Sequence, residues 1–210
     1  DDEVIDTFIR QALEEVSLSY GGAVLQDGAR NLYFLNQLKR IVRRTIRTLQ
    51  EQLRHGSFRP YAFEKEFKNI YDFNADDQNS GQLLLKGRID RIDTCRQDDE
   101  IFVKVMDYKS GSHSFNLNTL YYGIALQLAV YLGQAVKNMK NAYSEQKVVP
   151  AAMLYYRTVD PILTAEKIIS KEESEKEILK QLKTTGAVSA RAGIVDALDE
   201  GLNGRSVVVP

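Results

Sequence analysis

Cysteine is nearly absent: the 210 residues include one, Cys95, with two histidines, four prolines and no tryptophan. One cysteine excludes an intrachain disulfide and any multi-cysteine zinc or iron–sulfur site within these residues, and it fits a reducing compartment such as a cytoplasm. No apolar run approaches the roughly 20 residues needed to cross a bilayer, and no charged-then-apolar signal segment opens the chain. The start, DDEVIDTFIRQALEEV, is acidic and lacks methionine, as expected of a piece of a longer chain. No G-x-x-x-x-G-K-[ST] loop occurs, so ATP hydrolysis by that device is excluded and any motor lies elsewhere. Neither sign of charge dominates: 28 Lys and Arg face 29 Asp and Glu, for a net charge of −1. Any contact with nucleic acid must therefore come from a local basic patch.

What remains is an ordinary globular composition, 43% apolar and 27% charged, enough for one good-sized domain. Residues 3–16 and 29–54 read as helices. In the second, Leu35, Leu38, Val42, Thr45, Ile46, Leu49 and Leu53 recur at helical spacing and predict a buried stripe, with Gly56 as the stop. Arg40, Arg43, Arg44 and Arg47 follow the same spacing on the opposite face; such a run is a solvated helix face or a phosphate contact. FRPYAFEKEF (58–67) reads as extended, and the polar NIYDFNADDQNSGQ (69–82) as a loop or a hairpin end. Two strands follow, LLLKGRIDRID and IFVKVMDYK, around a turn at Asp98–Asp99. Then come a long helix over 117–140, a strand AAMLYYRTV (151–159), a charged helix SKEESEKEILKQLKT, the segment GIVDALDEGL and a short strand SVVVP. There is no internal repeat. The economical reading is one mixed α/β domain: a helical segment 1–56, a core 57–163, and a helical extension 164–210 with a short strand.

Centring the hairpin between Asp98 and Asp99 makes paired residue numbers sum to 197. Ile92 then faces Val105, and Asp93 faces Lys104: apolar with apolar, acid with base. The same register sets Asp90 opposite Asp107, and like charges directly opposed are destabilising. Opposed Cβ atoms are roughly 4.5–5.5 Å apart, close enough for two carboxylates to hold one hard divalent cation such as Mg²⁺. Lys109, two residues beyond Asp107 on the same strand face, is placed to orient a water or to stabilise charge developing on a phosphate.

GRIDRID (87–93), DYKSG (107–111) and YYGIALQLAVYL (121–132), in that order, resemble the nuclease domain of the AddB or RexB component of bacterial AddAB-type helicase–nucleases. More broadly they resemble the RecB-like branch of the PD-(D/E)xK nuclease superfamily. GSFRPYAFEKEF upstream and AAMLYYRTVDP downstream extend the likeness to about residues 30–160. The resemblance implies an α/β fold, with a central mixed sheet containing an antiparallel hairpin, flanked by helices and carrying helical additions at both ends. It implies Mg²⁺-dependent deoxyribonuclease activity, exonucleolytic, with Mn²⁺ as a substitute. It further implies a DNA-repair role in the bacterial cytoplasm, away from membranes, on single strands delivered by an AddA-like helicase partner. By position, Asp90 and Asp107 would be metal ligands joined by the backbone carbonyl of Tyr108, and Lys109 the catalytic lysine. Gln127 and Tyr131 match a Q-x-x-x-Y signature whose spacing puts both on one helical face. An upstream glutamate completes the pattern, either Glu64 or Glu66.

The chain departs from the family in two places. Members carry a metal-binding histidine upstream and an iron–sulfur cluster held by four cysteines. His55, His113 and Cys95 match none of those positions, so this chain holds no such cluster, although a parent protein would have room for one. Two functions therefore stand: a metal-dependent nuclease domain, or a nuclease-like DNA-binding or scaffolding module without turnover.

Overall fold

The computed structural model describes residues 2–19, 28–76, 79–111, 114–164, 169–200 and 206. Its frame is the expected hairpin: β2 (Asn79–Gln97) runs antiparallel to β3 (Glu100–Lys109). Ile92 pairs with Val105 and Asp93 with Lys104, as the alternation requires. The turn closes with Asp98 at φ 52°, a left-handed conformation that a short polar side chain tolerates. β1 (Arg59–Asp76) adds antiparallel to β2 on the other side, β4 (Lys147–Arg157) adds parallel to β3, and β5 (Thr185–Val188) adds antiparallel to β4. The result is a five-stranded mixed sheet in the order β1-β2-β3-β4-β5. The α/β architecture with helices on both sheet faces is the one expected.

Both faces of the sheet are covered, which is why β3 is buried along nearly its whole length instead of alternating. On one face α4 (Gln127–Ala142), the crossover from β3 to its parallel neighbour β4, packs Ala135 and Met139 on Ile92, Ile101, Val103 and Val105. Each large side chain buried there contributes about 1.5–3 kcal/mol. On the other face Phe58, Phe102, Met106, Leu154 and Tyr156 pack with Ile194, Ala197 and Leu198 of α6 (Ala192–Leu198) and with Leu49 of α2 (Ala29–Arg54). Cys95 is buried in that second layer, where desolvation pushes its thiol pKa up. α1 (Asp2–Ser19) lies beside α2, and α5 (Lys171–Gln181) begins with a capping box between Ser170 and Glu173.

Four expectations need correction. The stripe on α2 is half-buried, and only Thr48 of that helix is fully enclosed, although Leu49 packs on the layer of Phe102, Met106 and Tyr156. Of the two readings of 69–82 the loop is corrected and the hairpin end holds: Ile70 pairs with Leu84, Tyr71 with Leu83 and Asp72 with Gln82, so backbone pairing overrides the polar composition. The helix over 117–140 is two helices, α3 (Leu117–Tyr121) and α4, separated where Gly123 takes φ 72°. The C-terminal third supplies β5 to the sheet, a strand too short to carry a pattern. Of the strand expected at SVVVP, all but Ser206 lies outside the described residues. Among the described residues no helix is long and apolar enough to cross a membrane.

Candidate active site

Regular strand pairing lapses in one row of the sheet. β1 pairs Phe63 with Arg91 and Lys65 with Ile89, skipping Glu64 and Asp90. The β2–β3 ladder ends at Arg91–Met106, one step before Asp90 would meet Asp107. Glu64, Asp90 and Asp107 are therefore level across three strands. Glu64 has φ 49°, uncommon for a residue with a side chain, while the register stays the same on either side of it. Where a strand-to-strand bond would continue, the backbone N–H of Tyr108 donates to Asp90 Oδ2 at 2.9 Å.

Asp107 is 2% exposed, at the end of a buried strand. Lys109 Nζ lies 2.8 Å from Asp107 Oδ2 and donates to Gln127 Oε1 at 2.9 Å. Gln127 Nε2 donates to Asp107 Oδ1 at 2.9 Å and to the hydroxyl of Tyr131 at 3.1 Å. The first turn of α4 thus closes a ring of hydrogen bonds over the end of β3. Burial tends to lower the pKa of Lys109, but the hydrogen bond and charge of Asp107 outweigh it, with a further contribution from Asp90, and the net shift is upward. The lysine stays an ammonium. Gly87, one residue before Arg88 in GRID, leaves room for this arrangement: a Cβ there would lie 2.8 Å from the ring of Phe67, which meets Tyr131 edge-on.

The structure thus brings together Asp107, Lys109, Gln127 and Tyr131, with Asp90 and the Tyr108 peptide alongside. Glu64 is level with them in the backbone, but its carboxylate is turned to Arg88 Nε at 2.7 Å and is well exposed. Glu66 instead pairs in register with Arg88, one turn of the pleat away. The arginines of α2 are not a free cationic face. Arg40 and Arg44 meet Asp160, Arg43 meets Asp6, and Arg47 meets Asp2. His55 is at the end of α2, between Glu51 and Asp199, and His113 lies outside the described residues.

Two features of the site gave no usable signal in the sequence. Tyr155, level with Asp107 on parallel β4, sets its ring 5.5 Å from Lys109 Nζ. Only a long-range parallel register makes that pairing. Behind the site, Asp93 is fully buried between Arg91 Nε at 2.6 Å and Lys104 Nζ at 2.9 Å. Arg91 also reaches the Tyr108 hydroxyl at 3.4 Å. Strand alternation offers Asp93–Lys104 as a cross-strand pair but gives no hint that it is enclosed.

The donor set at Asp90 and Asp107 is all oxygen: two carboxylates, with the Tyr108 carbonyl next to Asp107 in sequence. Such a set fits a hard divalent cation whose remaining positions are filled by water, and not a thiophilic metal. Among the described residues no three His, Cys, Asp or Glu side chains converge, so the protein shell is partial while Glu64 is held by Arg88.

Comparison with known proteins bears on the chain as a whole. The family model described as the PD-(D/E)XK nuclease superfamily matches residues 1–203. Among curated relatives, a protein of Clostridium acetobutylicum, named as the B subunit of an ATP-dependent helicase/deoxyribonuclease, is 34% identical, over 100% of this chain and 18% of its own length. The proteins of the same name from Lachnoclostridium phytofermentans and Clostridium tetani are 38% and 35% identical, over 93% and 100% of this chain and 16% and 18% of their own. The chain thus spans less than a fifth of the relatives it matches. A match along nearly the whole chain, on a five-stranded mixed sheet flanked by helices, leaves one assignment: the chain belongs to the PD-(D/E)XK nuclease superfamily.

Proposed function

We propose that this chain is the phosphodiester-cleaving domain of a DNA helicase–nuclease, acting on DNA with a divalent cation, Mg²⁺ or Mn²⁺ in its place. The observation that carries this is the ring Asp107–Lys109–Gln127, closed beside Asp90, which accepts from the Tyr108 N–H. Asp90, Asp107 and the Tyr108 carbonyl would hold the cation, which supplies charge neutralisation and water acidification when bound. Lys109, kept protonated by Asp107, donates to a phosphate oxygen as negative charge builds on it. Gln127 fixes the ammonium's position and is itself fixed by Tyr131, so little reorganisation is needed as the reaction proceeds. Glu64 is the acid level with Asp90, and release from Arg88 would bring it to the site; Glu66 has no such placement.

The relatives' names carry a helicase, a deoxyribonuclease and more than one subunit, and the motif resemblance extends this to a wider reading. The substrate is single-stranded DNA fed exonucleolytically by an AddA-like helicase partner, in bacterial double-strand-break repair, in the cytoplasm. The scaffold alternative has no use for a buried carboxylate held beside a second one. The test is cleavage of labelled single strands by the full-length protein with its native partner, with Mg²⁺, Mn²⁺ or EDTA. Activity with either metal, lost on Asp90→Ala and on Lys109→Ala, is expected. Undiminished cleavage in EDTA or by both variants sinks the reading.

A further inference from the structure

The break between α3 and α4 exposes three large side chains immediately before the residue that closes the active-site ring. Tyr121 is 85% exposed, Tyr122 75% and Ile124 77%. The two tyrosines meet edge to face, with ring centroids 5.3 Å apart and planes at 82°. They are held on a tight backbone knuckle. The N–H groups of Tyr122, Gly123, Ile124 and Ala125 donate to the carbonyls of Asn118, Leu120, Thr119 and Thr119, and Gly123 supplies φ 72°. An uninterrupted helix through 117–140 would point these side chains elsewhere; the knuckle turns them outward at the N-terminal end of α4.

Apolar side chains so exposed are costly unless something covers them, and three observations say what does. The first is continuity with the site. Tyr122 lies five residues before Gln127, which bonds both Asp107 and Lys109, so the Cα atoms of Tyr122 and Gln127 are at most about 18 Å apart. Whatever covers the knuckle is within a few nucleotides' reach of the site. The second is charge. From Tyr108 to Ser144 the chain has no Asp or Glu, its longest such run, while Lys109, Lys137 and Lys140 fall within it. This segment itself therefore brings no carboxylate against a polyanion, and those of Asp90 and Asp107 lie where the cation would offset them. The third is chemistry. Rigid aromatic rings with a polar tip, flanked by Asn116, Asn118 and Thr119, suit the π-faces of unstacked bases better than the flush aliphatic surface of a protein docking face.

Building on the nuclease reading, we propose that Tyr121 and Tyr122, with Ile124, form a stacking platform for unpaired bases of single-stranded DNA, a few nucleotides from the scissile phosphate. Stacking accepts every base, so the platform holds the strand without sequence preference, and a base-paired strand cannot occupy it without unpairing. The platform therefore selects single strands for the site.

The test uses the full-length protein with its native partner. Single strands carrying 5-iododeoxyuridine are irradiated in EDTA, where no turnover intervenes, and cross-links are mapped by mass spectrometry. Cross-linking to Tyr121 or Tyr122 is expected. In steady-state cleavage, Tyr121→Ala and Tyr122→Ala should each raise KM for single strands roughly 5- to 150-fold, the range for loss of one stacked base. The Phe variants should stay near wild type. On strands with abasic sites placed at the platform, wild type and Ala variants should behave alike. Absence of cross-links in 117–126 together with unchanged KM overturns the proposal. So does loss of the partner protein from the Ala variants with KM per intact complex unchanged, which would mean that protein covers the knuckle. If Asp107→Ala still cleaves DNA while the cross-link persists, the nuclease assignment of the acids falls and the platform stands.

Discussion

Gln127 Nε2 donates to Asp107 Oδ1 at 2.9 Å, tying the first residue of α4 to the buried end of β3. The same amide accepts from Lys109 through Oε1 and donates again to Tyr131. An amide does both at this reach, whereas a carboxylate has no donor. Gln127→Leu should therefore lower single-turnover cleavage about 10²-fold through misplacement of Lys109. Gln127→Glu should be no better, because it sets a second carboxylate against Asp107. A Glu variant with wild-type turnover would show that the bridge is incidental.

Asp107→Ala should abolish cleavage and cost the fold about 1–3 kcal/mol, the range for charge-assisted hydrogen bonds lost in a buried position. The opposed acids viewed alone suggest the reverse, relief of repulsion. Lys109 at 2.8 Å and the Tyr108 N–H on Asp90 already offset that repulsion. Urea unfolding of the variant decides between the two signs.

Lys109→Ala should slow cleavage roughly 10²–10³-fold, the usual loss for one transition-state donor, while leaving the metal midpoint near wild type. Lys109→Arg should not restore the rate, because a planar fork does not replace a compact ammonium. Since the folded pKa of Lys109 lies above its ordinary value, its ion pair stabilises fully below about pH 10.4 and is lost as pH rises through the folded value. The pH–rate profile should show no falling limb from this residue between roughly pH 7 and 9. A limb in that window, absent from Lys109→Ala, would contradict the assignment.

Asp93 carries two cations in the layer behind the site, and burial pulls the pKa of Lys104 down more than Asp93 restores it. Asp93→Ala leaves both Arg91 and Lys104 buried and unpaired and should cost about 3–5 kcal/mol. Lys104→Met, which keeps the Arg91–Asp93 pair, should be neutral or stabilising, by up to about 4 kcal/mol. Thermal unfolding of the two variants tests the contrast. Equal losses would mean that Lys104 is an essential partner.

A substitution of Gly87 should act at a distance. Gly87→Ala drives a Cβ to 2.8 Å from the ring of Phe67, and overpacking of this kind costs about 1–3 kcal/mol. The shift passes to Tyr131 and then to Gln127, so cleavage should fall together with the melting temperature, and Phe67→Leu should restore part of both.

The sequence by itself determined the hairpin and its register, because strand alternation has a period of two and a slip of one residue would expose Ile92 and Val105. It determined that a helix precedes the hairpin and that a helix and a strand follow it. The spacing of Gln127 and Tyr131 was equally legible, since four residues is one helical turn. Other features were decided only by the tertiary structure. Whether polar residues 69–76 extend as strand depended on a partner strand, and where the long helix breaks depended on Gly123 in a turn. Tyr155 comes beside Lys109 only through the parallel pairing of β3 with β4, across a crossover helix that no local pattern encodes. The arginines of α2 show why such features are invisible in sequence. Their spacing is a property of one helix, but whether they meet phosphates or the carboxylates of Asp2, Asp6 and Asp160 depends on what the rest of the chain folds against that helix.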